Sequence, residues 1–425
     1  MTFADTNAGA SVQKRSAGYQ VMLVGLLSLN FGILFFDRNA LNFLMPYVQP
    51  DLRLSNLEVG LLASALSLTW AVSGFLVGRF SDRTGQRRTI IIVATIAFCL
   101  CSFVSGLASS FLMLLGARLL MGFSEGGVLP ISQAIIADEI APERRGMAMG
   151  ITQNLGSNLL GSTAAPLLLV AIAAWWGWRN AFYFAAVPGL VTAALIWIYV
   201  KDPVRDPVAH AARGPRMTVL EAFGVRNILI CAIIAVLLVA YMVVCLAFMP
   251  LFLTQKRGFD PEVMSWLMAT LGVSAGIGSF VVPGISDLVG RKPVMIAVPL
   301  VGMILPLGAL YFDGSIWILA AIFFFGWALL GTFPLFMATV PSESVGPQHI
   351  ASALGLVMGT GEVLGGVFSP FIAGAAADEW GLDAPLWIMV GLCLLGGFLA
   401  MGLTETAPRI LARRSASMGG RVSTA

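Results

Sequence analysis

Four charged side chains stand inside long apolar runs of this 425-residue chain: Asp37, Arg38, Arg118 and Glu125. An ionised group at membrane depth is expensive, so such residues usually pair, face a water-filled cavity and serve function. A guanidinium offers a planar, always-charged fork for a carboxylate, which makes Arg38 the first candidate for contact with an anion and Arg118 the second. A carboxyl group that alternates between a cation and a drier environment can load and release a proton. Asp37 and Glu125 are the candidates for that work. The competing arrangement is two static ion pairs that merely neutralise each other. Arg118 and Glu125 are seven residues apart, so on a helix they share a face, separated by about 10 Å along the axis.

Other polar positions are weaker candidates. Gln153, Asn154 and Asn158 lie on one apolar stretch and suit either contact with substrate hydroxyls or hydrogen bonding between helices. Asn30, Asn39 and Asn42 carry the same two readings. Tyr241, with Trp266 and Trp327, forms an aromatic wall or packs the interior. Glu362 is a lone acid among Gly355, Gly359, Gly361, Gly365 and Gly366. It is either a proton-coupling or specificity residue facing a cavity, or a core glutamate kept protonated. The five cysteines fall in apolar segments without a CxxC pair or a neighbouring histidine, and His210 and His349 fall in expected loops. Neither a metal site, a disulfide framework nor hydrolase chemistry is indicated, and no cofactor is expected.

The elements that must position these residues follow from composition. The chain is 58% hydrophobic and 11% charged with a mean hydropathy of +0.88, against about 25% charged residues in an ordinary soluble domain. Runs of roughly 18 or more apolar residues mark transmembrane helices. Twelve are expected, over 19–47, 56–79, 89–108, 111–137, 147–174, 181–201, 225–254, 262–286, 293–312, 315–340, 350–377 and 384–405. The alternating segments of about ten residues that mark an outer-membrane barrel are missing. Most of the 25 Lys and Arg residues fall on the side that carries both termini, which makes that side cytoplasmic. Only Arg53, Arg179, Lys256 and Arg257 fall in the outer loops. The net charge of +3 is thus topogenic and calls for no nucleic-acid partner. The first apolar run, after Lys14-Arg15, reads as a retained span rather than a signal peptide.

These boundaries predict a cytoplasmic tail at 1–18, a six-helix bundle at 19–201, a cytoplasmic central loop at 202–224, a second six-helix bundle at 225–405 and a tail at 406–425. An internal repeat supports the division. One offset relates Asp82 to Asp287, Gly85 to Gly290, and Gly150, Gly156 and Gly161 to Gly355, Gly361 and Gly366. The expected fold is therefore all-α, with twelve transmembrane helices in two pseudo-symmetric six-helix bundles and substrate bound between them. At the same offset Asp37, Arg38, Arg118 and Glu125 map onto Met242, Val243, Phe323 and Leu330. A scaffold role would need charges in both halves, so the four charges read as additions for function.

The loop after the second span fits the pattern G-x-x-x-D-R-x-G-x-R-R at Gly78, Asp82, Arg83, Gly85, Arg87 and Arg88, and Asp287 and Arg291 echo it in the second half. Arg118, Gly122 and Gly126 fit R-x-x-x-G-x-x-x-G. With these motifs the chain resembles the major facilitator superfamily over essentially its whole length. The resemblance implies that the loop latches the cytoplasmic side in one conformation. The G-P-x-x-G-G signature of drug–proton antiporters is absent from the fifth span. Asp-Arg late in the first span, with Arg and Glu seven apart in the fourth, resembles the anion:cation symporters, although bacterial lipid transporters related to Spinster share a similar pattern. The vesicular members' arginine in the body of the seventh span is missing; Arg226 sits at its cytoplasmic start. What the resemblance implies is a monomeric carrier of the inner membrane rather than an enzyme. It would take up a small organic anion with protons by alternating access. A lysolipid, amphiphile or drug carrier of the same fold, or an anion exchanger, is the alternative.

Overall fold

The computed structural model describes residues 16–201, 219–346 and 349–412, and twelve helices among them are long and apolar enough to cross a membrane. The first six are α1 (Ala17–Leu52), α2 (Asn56–Ser81), α3 (Arg87–Gly106), α4 (Phe111–Glu139), α5 (Arg144–Trp176) and α6 (Trp178–Tyr199). The second six are α7 (Arg226–Lys256), α8 (Pro261–Val289), α9 (Arg291–Tyr311), α10 (Ile316–Glu343), α11 (Ser352–Trp380) and α12 (Asp383–Ala400). Helix α1 outruns the expected 19–47 because Pro46 and Pro50 lie inside it instead of ending it. Within a packed bundle, neighbouring groups satisfy the carbonyls that a proline leaves free. The tails at 1–15 and 413–425 and the loop at 202–218 lie outside the described residues, as does the side chain of Asp82. The end of the central loop is a short helix, Val219–Gly224.

The halves repeat each other in detail. The helices after which α3 and α9 begin end on Gly85 (φ 71°) and Gly290 (φ 115°), a region of backbone space that favours glycine. Just beyond those turns, Arg87 pairs with Asp138 and Arg291 with Glu343, tying the start of α3 to the end of α4 and the start of α9 to the end of α10. In mid-bundle the Ser73 hydroxyl donates to the Phe123 carbonyl, and that of Ser274 to the Phe324 carbonyl. Backbones also approach without intervening side chains: a Cβ on Gly32 of α1 would sit 2.7 Å from the carbonyl of Gly156 in α5. Without a hydrophobic drive between helices in lipid, such close contact is what holds them together.

The polar contacts between the halves gather at one end of the molecule. Asp378, at the end of α11, accepts the backbone N–H groups of Asn56 and Leu57 at 2.9 Å each. These are among the first donors of α2, which a helix leaves unsatisfied and which carry its positive pole. Gln255 of α7 donates to Gln49 of α1 at 2.8 Å. A Cβ on Gly374 of α11 would lie 2.5 Å from the Asn56 carbonyl, and one on Gly272 of α8 2.6 Å from the Thr163 amide of α5. At the opposite end, where Gly85 and Gly290 turn, Arg87 and Arg291 tie helices within each half.

Two outcomes follow. Gly32→Val drives a branched side chain into the Gly156 backbone and is expected to cost about 1–3 kcal/mol, read as a lower melting temperature in detergent. Gly25→Val, on an open face, should melt like the parent. Asp378→Ala should shift the population toward opening at the α1–α2 end by about tenfold, or about 1.4 kcal/mol. The check is the rate at which an impermeant thiol reagent, applied from that end, labels a Ser67→Cys variant, Ser67 being a buried α2 residue that lines the space between the halves; unchanged rates would dismiss the seam as a closure.

Candidate functional site

Between the halves lies a cavity of about 230 Å³. Arg38 projects into it from α1, its guanidinium 5.5 Å from the Phe35 ring and 5.3 Å from the Trp70 ring of α2. Rings over a guanidinium hold it flat by cation–π attraction and leave its edge free for an anion. Among the described residues that guanidinium makes neither a hydrogen bond nor an ion pair, so its donors remain unspent.

Arg118, on α4, is 2% exposed and donates from Nη1 to the Arg38 carbonyl at 3.1 Å and toward Met121 Sδ at 3.4 Å. Its Nε and Nη2 have no partner. Asp37 and Glu125 are fully buried, and neither carboxyl has a hydrogen-bond partner at normal geometry. Arg118 and the Ser102 hydroxyl lie within electrostatic reach of Asp37, while Arg38 and Arg118 lie within reach of Glu125. Among the described residues none of the four charges forms an ion pair. The static-pair arrangement is therefore not what the structure contains. Consecutive helical residues point about 100° apart, which is why Arg38 lines the cavity and Asp37 turns into the first half's interior.

Five of the six candidate amides line the cavity; Asn30 is fully buried away from it and accepts from the Thr95 hydroxyl at 3.1 Å. Gln153, Asn154 and Asn158 all line the cavity from α5, and Asn39 and Asn42 from α1. Asn39 is partly spent on structure, donating to the Gly161 carbonyl at 3.0 Å. Gln133 reaches Gln153 at 3.5 Å. The amides on α5 sit in two widened, π-helical stretches, Ile151–Leu155 and Ser157–Ala164, and the matching part of α11, Gly361–Val367, is widened as well. Such turns are uncommon and gather at functional positions. Glu362 lies in that α11 stretch and faces the cavity from the second half, with Arg38 in electrostatic reach.

Three aromatic residues separate. Trp327 lines the cavity. Tyr241 does not: it is fully buried behind Trp327, with ring centroids 5.8 Å apart, and its hydroxyl donates to the Gly302 carbonyl at 3.0 Å. Trp266 is 60% exposed on the outside. Trp70 was not among the sequence candidates, because nothing in an isolated apolar run reveals which helix its neighbour belongs to.

The motif residues of the turns mostly tie helices within a half. Arg87 also donates to the Ala134 carbonyl at 3.1 Å, and Arg88 reaches the Trp197 carbonyl of α6. Arg83 is exposed and Gly78 has open space around it. In the second half Arg291 pairs with Asp287 at 2.5 Å and Glu343 at 3.0 Å. Glu405, beyond α12, accepts from the N–H groups of Arg291, Lys292, Thr406 and Ala407. Burial works against ionisation of Glu405, but these four donors hold its carboxyl below the usual range.

The chain is 28% identical over 382 residues to a probable 4-methylmuconolactone transporter of Cupriavidus pinatubonensis, covering 85% of this chain and 86% of that one. It is 25% identical to a probable sulfoacetate transporter of Cupriavidus necator, over 89% and 93% of the two chains. Its fold matches an inward-facing, occupied structure of a bacterial homologue of the lysosomal transporter Spinster, with a TM-score of 0.74, 20% identity and coverage of 91% and 97%. The family model of the Major Facilitator Superfamily matches twice, over residues 27–260 and 232–423. Twelve spans, duplicated halves and a cavity between them are accounted for together: this multi-pass membrane protein is a transporter belonging to the Major Facilitator Superfamily.

Proposed function

We propose that the protein takes up a small carboxylate with protons by alternating access, as a monomer in the bacterial inner membrane. The observation that carries the reading is the unspent Arg38 guanidinium, held flat in a cavity between the halves. The relatives support the substrate class, being named for transport of 4-methylmuconolactone and sulfoacetate.

In this reading the carboxylate meets the free edge of Arg38, and the amides of Gln153, Asn154 and Asn158 orient the rest. Asp37 and Glu125 carry protons: an unpaired carboxylate in a dry interior is costly, so its proton has to come and go with a change of surroundings. Glu362 competes with the anion for Arg38 when ionised, and a proton on it favours loading. Such competition links the two fluxes. The Lys and Arg distribution makes the Gly85 and Gly290 end cytoplasmic, with both chain termini on that side. The halves then meet at the outer end, and the conformation is inward-facing. In the outward-facing state the motif residues Gly78, Asp82, Arg83, Gly85, Arg87, Arg88, Asp287 and Arg291 latch the cytoplasmic side.

Uptake into proteoliposomes should accelerate when the outside is acidified and collapse when the pH gradient is dissipated. Indifference to the gradient would remove proton coupling and favour exchange. Arg38→Ala forfeits a charge-assisted bond of about 1.5–3 kcal/mol, so carboxylate affinity should fall about 10- to 100-fold. Normal affinity in that variant would take Arg38 out of the site. Asp37→Asn and Glu125→Gln should keep binding and counterflow while losing gradient-driven accumulation; full accumulation in both would reassign the proton path.

A further inference from the structure

The cavity's two walls differ in kind. The first half supplies Arg38, Arg118, Gln153, Asn154 and Asn158, together with Asn39, Asn42 and serines. Apart from Glu362 and the indole N–H of Trp327, the second half supplies only apolar side chains, among them Met242, Leu246, Leu330, Phe333 and Met358. The difference is inherited from the duplication. Met242, Val243 and Leu330 are the repeat counterparts of Asp37, Arg38 and Glu125, and all three line the cavity.

From this asymmetry we infer that the anion is a monocarboxylate on a flat, apolar ring, an aromatic or unsaturated ring acid, and not a polyhydroxylated sugar acid. The inference rests on the carboxylate reading above and narrows it. A sugar acid carries a hydroxyl on nearly every carbon, and half of them would face a wall with almost no hydrogen-bonding group. Each polar group left without a partner costs about 1–3 kcal/mol. A hydrocarbon ring loses nothing there and gains dispersion contacts and apolar burial.

The apolar wall is also built for a flat body. Trp327 is backed by the Tyr241 ring at 5.8 Å, and the Tyr241 hydroxyl is fastened to the Gly302 carbonyl at 3.0 Å. That fastening fixes the indole, which is only 2% exposed and meets the cavity at its margin, as a rigid backing for the half-buried Met242, Leu330, Phe333 and Met358 that line the wall. Methionines around it adapt to ring substituents and make favourable sulfur–aromatic contacts. The second charge of a dicarboxylate would meet this wall or Glu362, so one carboxylate is accommodated. A cavity of about 230 Å³ has room for one ring with its carboxylate.

The test uses the full-length protein in detergent and in proteoliposomes. Benzoate, phenylacetate and cyclohexene-1-carboxylate represent ring monocarboxylates, glucuronate the sugar acids, succinate the dicarboxylates, and benzamide a neutral ring. At least one ring monocarboxylate should raise the melting temperature and be taken up at least tenfold better than glucuronate or succinate. Preference for glucuronate or succinate overturns the inference and leaves the carboxylate reading standing. Preference for benzamide overturns both. No response to any of the three ring acids overturns the inference as well. Met242→Gln, which puts an amide on the apolar wall at a half-buried position, should lower ring-acid affinity and narrow the gap to glucuronate. Met242→Leu, apolar and of similar volume, controls for folding and should preserve the preference; an unchanged preference in Met242→Gln counts against the wall as its source.

Discussion

One hydrogen bond organises the polar interior of the first half: the Arg118 guanidinium on the backbone carbonyl of Arg38. A bilayer offers no water to rescue a misplaced charge, so an arginine at this depth must find acceptors within the protein. By taking a main-chain carbonyl rather than a carboxylate, Arg118 fixes α4 against α1 and leaves both buried acids unpaired. It also sets the backbone from which Arg38 reaches into the cavity between Phe35 and Trp70. An ion pair in its place would have tied up these carboxyls; ionisable groups at this depth are rare and usually mark functional positions.

Duplication explains both the symmetry of the frame and the asymmetry of the site. The features that recur are structural: positive-φ glycines at matched turns, arginine–carboxylate pairs just beyond them, and hydroxyl–carbonyl contacts in mid-bundle. The features that do not recur are the charges at cavity depth. The first bundle therefore carries most of the polar side chains of the cavity, and the second a mainly apolar face.

Much of this was legible in the sequence. Hydropathy is a property of a whole run, so the twelve spans could be counted. The charges at Asp37, Arg38, Arg118 and Glu125 stood out because their residue types contradict their surroundings. What the sequence could not supply was direction around a helix and identity of the neighbour. Tyr241 has the same composition of neighbours as a cavity residue, yet its hydroxyl is tied to α9 and its ring stands behind Trp327. Trp70 gave no signal, since its role depends on α2 lying beside α1. The length of α1 was underestimated because a proline ends a helix in water more readily than inside a packed bundle.

The seam at Asp378 has a consequence for how the carrier can evolve. Both of its donors are backbone amides, at Asn56 and Leu57, and these persist whatever side chains stand there, proline excepted. The acceptor is a single carboxylate. One partner is thus insulated from substitution and the other fully exposed to it. A substitution at that one codon removes both contacts at once and leaves the residues that line the cavity untouched.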